Sequence, residues 1–149
     1  MKILALDPST RAVGWCHAED GEYLYSGVWT PPDGEWWERI AYFEEWLDNI
    51  TYETECLITE IATGNQGNMH TNRLLGAVEY AVRKLAWEIE IPLVTVTASQ
   101  VRASGCHKEA LAVASGIAGE DITDGDRADA IGVWLAGWKK IQEERRGEL

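Results

Sequence analysis

A chain of 149 residues with 46% apolar side chains is long enough for one hydrophobic core and too short for two comfortable ones, so a single domain over 1–149 is expected. No stretch approaches the roughly 18 consecutive apolar residues of a membrane span, and the first residues lack a basic region followed by an apolar one, so the chain reads as soluble and not exported. The net charge of −12 speaks against a polyanionic partner, because affinity for nucleic acid rests largely on Lys and Arg neutralising phosphates.

That charge is unevenly distributed, however. Residues 1–62 carry three basic and thirteen acidic side chains, and residues 109–149 carry five and nine. Between them Arg73, Arg83, Lys84, Arg102 and Lys108, with His70 and His107, stand against only Glu79, Glu88 and Glu90. This basic middle section permits a nucleic-acid face. Cys16, Cys56 and Cys106 are odd in number and widely spaced, with no C-x-x-C pair. They indicate neither a disulfide framework nor a zinc site and fit a reducing compartment such as cytoplasm.

In chain order, Lys2 to Asp7 reads as a strand buried on both faces. Val13 to Ala18 and Tyr23 to Trp29 are β-prone runs around Glu19-Asp20-Gly21, a short hairpin signal. Pro31-Pro32-Asp33 ends the third strand. From Trp36 the residues Trp36, Trp37, Ile40, Phe43, Trp46, Leu47 and Ile50 recur at helical spacing with acidic residues mostly opposite, which predicts an amphipathic helix on a sheet. Trp36 and Trp37 cannot both face a core, so one of them is expected to mark a surface, and the other six Trp residues are mostly expected to pack.

"ECLITE" is a second apolar strand ending at Glu60, followed by "ATGNQGNMHTN", a polar, glycine-punctuated loop of the kind that carries function. A helix is expected from about Asn72 to Ile89 and a fifth strand from Pro92 to Thr97. Short helices from about Ser99 and Lys108 lead to a final helix beginning near Gly125, with Ala130, Ile131, Val133, Trp134 and Trp138 on its apolar face. The order predicts an α/β layer fold with a mixed sheet, antiparallel at the hairpin and parallel through the later right-handed crossovers.

Function in such sheets sits at the carboxyl ends of the central strands. Asp7 and Glu60 end two apolar strands there. In "DGDRADAIGVWLAG", Asp126 and Asp129 are three apart and so share one side of a helix. Four carboxylates converging on one point repel one another unless a divalent cation occupies the cluster. All-oxygen ligation suits Mg²⁺ or Mn²⁺, and two such ions can stabilise both the attacking and the leaving oxygen of a phosphoryl displacement. The residues point to a metal-dependent phosphodiesterase. Asp124, as a helix N-cap, and Asp121, in a loop, are the alternates in "DITDGDRAD".

"ILALDPSTRAVGW", "LITE" closing a strand, and "DRADAIGVWLAG" opening the last helix resemble the three acidic motifs of the RuvC family of Holliday-junction resolvases, within the ribonuclease H-like superfamily. The motifs span nearly the whole chain in the family's order, and the short form is most similar to bacteriophage members, which work inside the bacterial host cell. The resemblance implies a ribonuclease H-like three-layer α/β fold with a five-stranded mixed sheet flanked by helices. It implies that Asp7, Glu60, Asp126 and Asp129 bind two Mg²⁺ ions. It further implies a homodimer whose subunits each nick one of two symmetric strands of a four-way DNA junction, leaving 5′-phosphate and 3′-hydroxyl ends.

"ASQVRASGCHKEAL" resembles the family's segment bearing two basic DNA contacts, which places Arg102 and Lys108 beside the scissile phosphate, Lys108 as charge stabiliser. Cellular members carry an aromatic wedge three residues after the motif glutamate, where this chain has Thr63. Asn65, Gln66, Asn68 and His70 are the polar replacements, with Arg73 a further candidate contact. His70 and His107 otherwise read as surface histidines. A broader branched-DNA or flap nuclease and a ribonuclease H-like activity are the alternatives within the same chemistry.

Overall fold

The computed structural model describes residues 1–9, 11–62 and 67–148. Its elements are strands β1 (Lys2–Pro8), β2 (Val13–Glu19) and β3 (Glu22–Trp29), helix α1 (Trp36–Ile50), strand β4 (Cys56–Glu60), helix α2 (Met69–Glu88), strand β5 (Leu93–Val96), and helices α3 (Ala98–Ala103), α4 (Leu111–Ala118) and α5 (Gly125–Arg146). The five strands lie in the order β3-β2-β1-β4-β5, with β1 antiparallel to β2 and parallel to β4, and β4 parallel to β5. The mixed sheet is the one expected.

Each local feature has a sequence cause. The β2–β3 hairpin turns at Asp20 (φ 52°) and Gly21 (φ 87°), the two positive-φ positions that a tight two-residue hairpin needs. Between β1 and β2, the Ser9 hydroxyl donates to the Ala12 carbonyl at 2.6 Å and accepts from the Ala12 N–H at 3.1 Å. That closed turn is what the break after Asp7 becomes. Asn68 begins α2 by accepting from the Thr71 N–H at 2.8 Å, three residues earlier than the apolar periodicity indicates.

Alternation along the strands sorts the core into two layers. Ile3 and Ala5 of β1, Cys16 and Ala18 of β2, and Cys56 and Ile58 of β4 pack with α5 and its neighbours. Leu4 and Leu6 of β1 and Leu57 of β4 pack instead with Phe43 and Leu47 of α1 and with Val78, Val82 and Leu85 of α2. Helices therefore cover both faces, as a three-layer fold requires. On the first face α5 sits close to the sheet, where Gly137 leaves no room for a Cβ beside Ile58, and close to the segment after α3, where Gly132 leaves none beside the Cys106 carbonyl.

Some expectations for the aromatic residues change. Helix α1 meets the core from Ile40 onward, so Trp36 and Trp37, both in its first turn, are both exposed. Trp87, near the end of α2, is 80% exposed and does not pack. Trp134 is buried in α5, whereas Trp29 and Trp46 stack at 4.9 Å over the other layer. The helix expected near Lys108 begins at Leu111, after a turn in which the Ala110 N–H donates to the His107 carbonyl. All three cysteines are buried and free. Among the described residues no helix is long and apolar enough to cross a membrane.

Candidate active site

The same alternation that sorts the core aims the acidic residues. Asp7 continues the Ile3-Ala5 series on β1, and Glu60 continues the Cys56-Ile58 series on β4, so both follow the side of the sheet that α5 covers. Each stands one residue past the paired Leu6 and Thr59 on adjacent parallel strands. The first turns of α5 bring Asp126 and Asp129 to the same rim. Asp7, Glu60, Asp126, Asp129 and Lys108 all line one open cleft of about 600 Å³. Ser9, Thr71, Asn72 and Glu79 contribute to its other walls.

Three contacts fix the start of α5. The Asp124 side chain accepts from the backbone N–H groups of Asp126 (2.8 Å) and Arg127 (3.3 Å), so Asp124 is the N-cap. Arg127 turns away from the cleft and donates through Nε to Ser26 Oγ at 2.8 Å, while its guanidinium pairs with Glu120. This ties the helix to β3 and to the segment after α4. Third, Gly14, paired in register with Asp7, lies under Asp126: a Cβ there would collide with the Asp126 carbonyl oxygen.

Lys108 contributes twice. Its backbone N–H donates to Asp129 Oδ1 at 2.7 Å, which holds that carboxylate in place. Its ammonium lowers the carboxyl pKa values around it, opposing the other influences. Those influences are strong. Burial pushes the Asp7 carboxyl well above the ordinary carboxylate range, and the charges of Glu60, Asp129 and Asp126 push it further. Glu60 is raised by burial and by Asp129, and Asp126 by burial, Asp124 and Asp129.

The donor set fits a hard divalent cation. The cleft carries the carboxylates of Asp7, Glu60, Glu79, Asp126 and Asp129 against the single ammonium of Lys108, and oxygen donors of this kind suit Mg²⁺ or Mn²⁺. A cation among them would reverse the direction of their pKa shifts. Among the described residues, however, no three His, Cys, Asp or Glu side chains converge closely enough to hold an ion as they stand.

The remaining sequence candidates divide. Arg102, on α3, lines a smaller pocket that adjoins the cleft, together with Glu60, Lys108, Asp129 and His107. Arg73 is exposed on α2 and does not line the cleft, although Thr71, Asn72 and Gly76 beside it do. Asn68 is engaged as the cap of α2, and His70 is exposed in that helix's first turn. Thr63, Asn65 and Gln66 lie outside the described residues. Arg83 and Lys84 form ion pairs along and beside α2.

Sequence reasoning did not foresee the close approach at Gly14, the Arg127 anchor or the backbone role of Lys108. A glycine inside a β-prone run was the available signal for the first, since it marks close approach of another backbone. The other two carry none.

Against protein-family models and curated protein sequences the chain finds no match. By shape it is similar to RuvC of T. thermophilus in complex with a Holliday junction substrate, with a TM-score of 0.79 at 20% identity over 99% of this chain and 97% of that one. Another Thermus thermophilus RuvC structure gives a TM-score of 0.74 at 20% identity, covering 99% and 98%. The fowlpox virus Holliday junction resolvase gives 0.57 at 11% identity, covering 95% and 99%. The chain thus has the RuvC-type ribonuclease H-like fold, a five-stranded mixed sheet with helices on both faces.

Proposed function

We propose that this protein is a divalent-metal-dependent endonuclease that resolves four-way DNA junctions, acting as a homodimer through paired nicks. The observation that carries the reading is the convergence of Asp7, Glu60, Asp126 and Asp129, from two strands and a helix, on one open cleft beside Lys108. The likeness in shape to junction resolvases across nearly the full length of both chains supports the choice of substrate.

Asp7, Glu60, Asp126 and Asp129 would hold two Mg²⁺ or Mn²⁺ ions. When bound, such ions activate water and stabilise charge on the attacking and leaving oxygens. Asp7 is held at the rim by the fully buried run Ile3 to Leu6 and Asp129 by the Lys108 N–H, so these two carboxylates are anchored as DNA enters. The Lys108 ammonium supplies positive charge for a phosphate oxygen. In the reaction, water oxygen bonds to phosphorus and gives up a proton, the P–O3′ bond breaks, and the departing O3′ takes up a proton, so that water is divided between the two products. A 5′-phosphate and a 3′-hydroxyl result.

A deeply acidic cleft repels DNA by itself, so bound cations and the basic groups at its edge are what allow a phosphate to approach. The test is nicking of a mobile synthetic four-way junction with Mg²⁺ or Mn²⁺, with cut sites mapped on all four strands. Symmetric nicks by the wild type, abolished in Asp7→Asn, are expected. Equal activity in the two proteins would remove Asp7 from the mechanism. Cutting of linear duplex, flaps or RNA–DNA hybrids as readily as junctions would replace junction resolution by the broader nuclease reading.

A further inference from the structure

Beside the main cleft lies a second, smaller pocket of about 110 Å³. It shares Glu60, Ala98, Lys108 and Asp129 with the cleft and adds Val101, Arg102 and His107. The two share those four lining residues, and Arg102 and His107 belong to the smaller one alone. Resting on the nuclease reading above, we infer that His107 and Arg102 form a second phosphate subsite, which grips the DNA backbone at a phosphodiester flanking the one that is cut.

The His107 ring has a defined orientation. Its Nδ1 accepts from the Glu109 N–H at 3.3 Å, so in the neutral ring the proton resides on Nε2. The ring lines the pocket, and the hydrogen that the turn leaves unused is a donor for an anionic oxygen. Arg102 supplies the charge. Its ion pair with Glu109 is long, 3.8 Å, and both side chains are more than half exposed, so exchanging Glu109 for a phosphate costs little. A guanidinium and an imidazole N–H donor across a small pocket match the oxygens of one phosphodiester.

Two carboxylates shared with the main cleft, Glu60 and Asp129, repel the anion toward Arg102 and His107. The subsite therefore sets position along the strand. It binds the ground state and the transition state alike, so its loss should raise the half-saturating concentration and leave the limiting rate.

Three variants separate this from a structural role, using single-turnover nicking of a synthetic four-way junction in Mg²⁺ with melting temperature measured alongside. His107→Asn keeps an acceptor for the Glu109 N–H but lacks a donor at the Nε2 position; its half-saturating concentration should rise about fivefold to tenfold. His107→Gln places an amide N–H near the Nε2 position and should recover most of that loss. Arg102→Gln should weaken binding and reduce the salt dependence by about one counterion.

Unchanged saturation in His107→Asn overturns the inference. So does an equal loss in Asn and Gln variants with lowered melting temperature, or a fall in limiting rate at constant saturation. Failure of the wild type to nick junctions at all would instead overturn the nuclease reading on which the subsite rests.

Discussion

Gly14 and Asp126 are in main-chain contact: the α carbon of the strand residue lies so near the helix carbonyl that a Cβ would overlap its oxygen. Because Gly14 is also the register partner of Asp7, one close approach fixes the spacing between the first strand's carboxylate and the helix that carries two more. Gly14→Ala should lift the first turn of α5 off the sheet. Overpacking of this kind costs roughly 1–3 kcal/mol, so a lowered melting temperature and a disproportionate loss of nicking are expected. A variant with wild-type activity and melting would show that the contact is dispensable.

The clustered carboxylates make stability depend on pH in a direction opposite to that of a salt-bridged acid. Asp7, Glu60 and Asp126 all have folded-state pKa values raised above the ordinary range near 4. Between the ordinary and the raised values the folded protein binds more protons than the unfolded chain, so its stability falls as pH rises through that window. In the presence of a chelator, the melting temperature should decline from mildly acidic to neutral pH. Asp7→Asn should flatten the decline, and Mg²⁺ or Mn²⁺ at neutral pH should raise the wild-type melting temperature. Scanning calorimetry or dye-monitored melting checks all three. A wild type and an Asp7→Asn variant with parallel pH profiles would contradict the cluster's electrostatics.

Asp124 sits beside the acidic cluster but works on the backbone. Asp124→Ala should cost about 1 kcal/mol through loss of the cap, and Asp124→Asn, which keeps the accepting oxygen, should restore most of it. Nicking should follow the same order. If Asn failed to rescue activity while rescuing stability, the charge itself, and so a direct part in ion binding, would be indicated.

The strand endings, the hairpin and the two acidic helix positions were legible because each rests on local chemistry. An apolar run that ends in Asp7 or Glu60 has one natural place in a parallel sheet, and Asp20-Gly21 has one natural turn. Period-2 alternation even predicts which face each carboxylate takes once the strands are known. Nothing local marks Arg127 as an anchor, since Ser26 lies 101 residues away and becomes its partner only when α5 crosses the hairpin. Trp36, Trp37 and Trp87 misled for a related reason. Helical spacing identifies a face, but not how far along the helix the sheet extends.

Paired nicking requires two active sites on one junction. Sedimentation at micromolar protein should therefore show a dimer, with or without DNA. A monomer that fully resolves junctions, with both cuts mapped, would contradict the dimeric part of the proposal.

The bond from the Lys108 N–H to Asp129 gives position 108 an unusual freedom. The orientation of the carboxylate belongs to the peptide group, which nearly every amino acid provides, and only the electrostatic contribution belongs to the side chain. Replacing lysine by Arg, Gln or His therefore changes the field in the cleft without releasing Asp129, while proline alone removes the hydrogen that holds it. On the proposed nuclease reading, catalytic strength would drift at this site through single substitutions, each leaving the acidic cluster assembled, so the charge of the cleft is open to selection independently of its architecture.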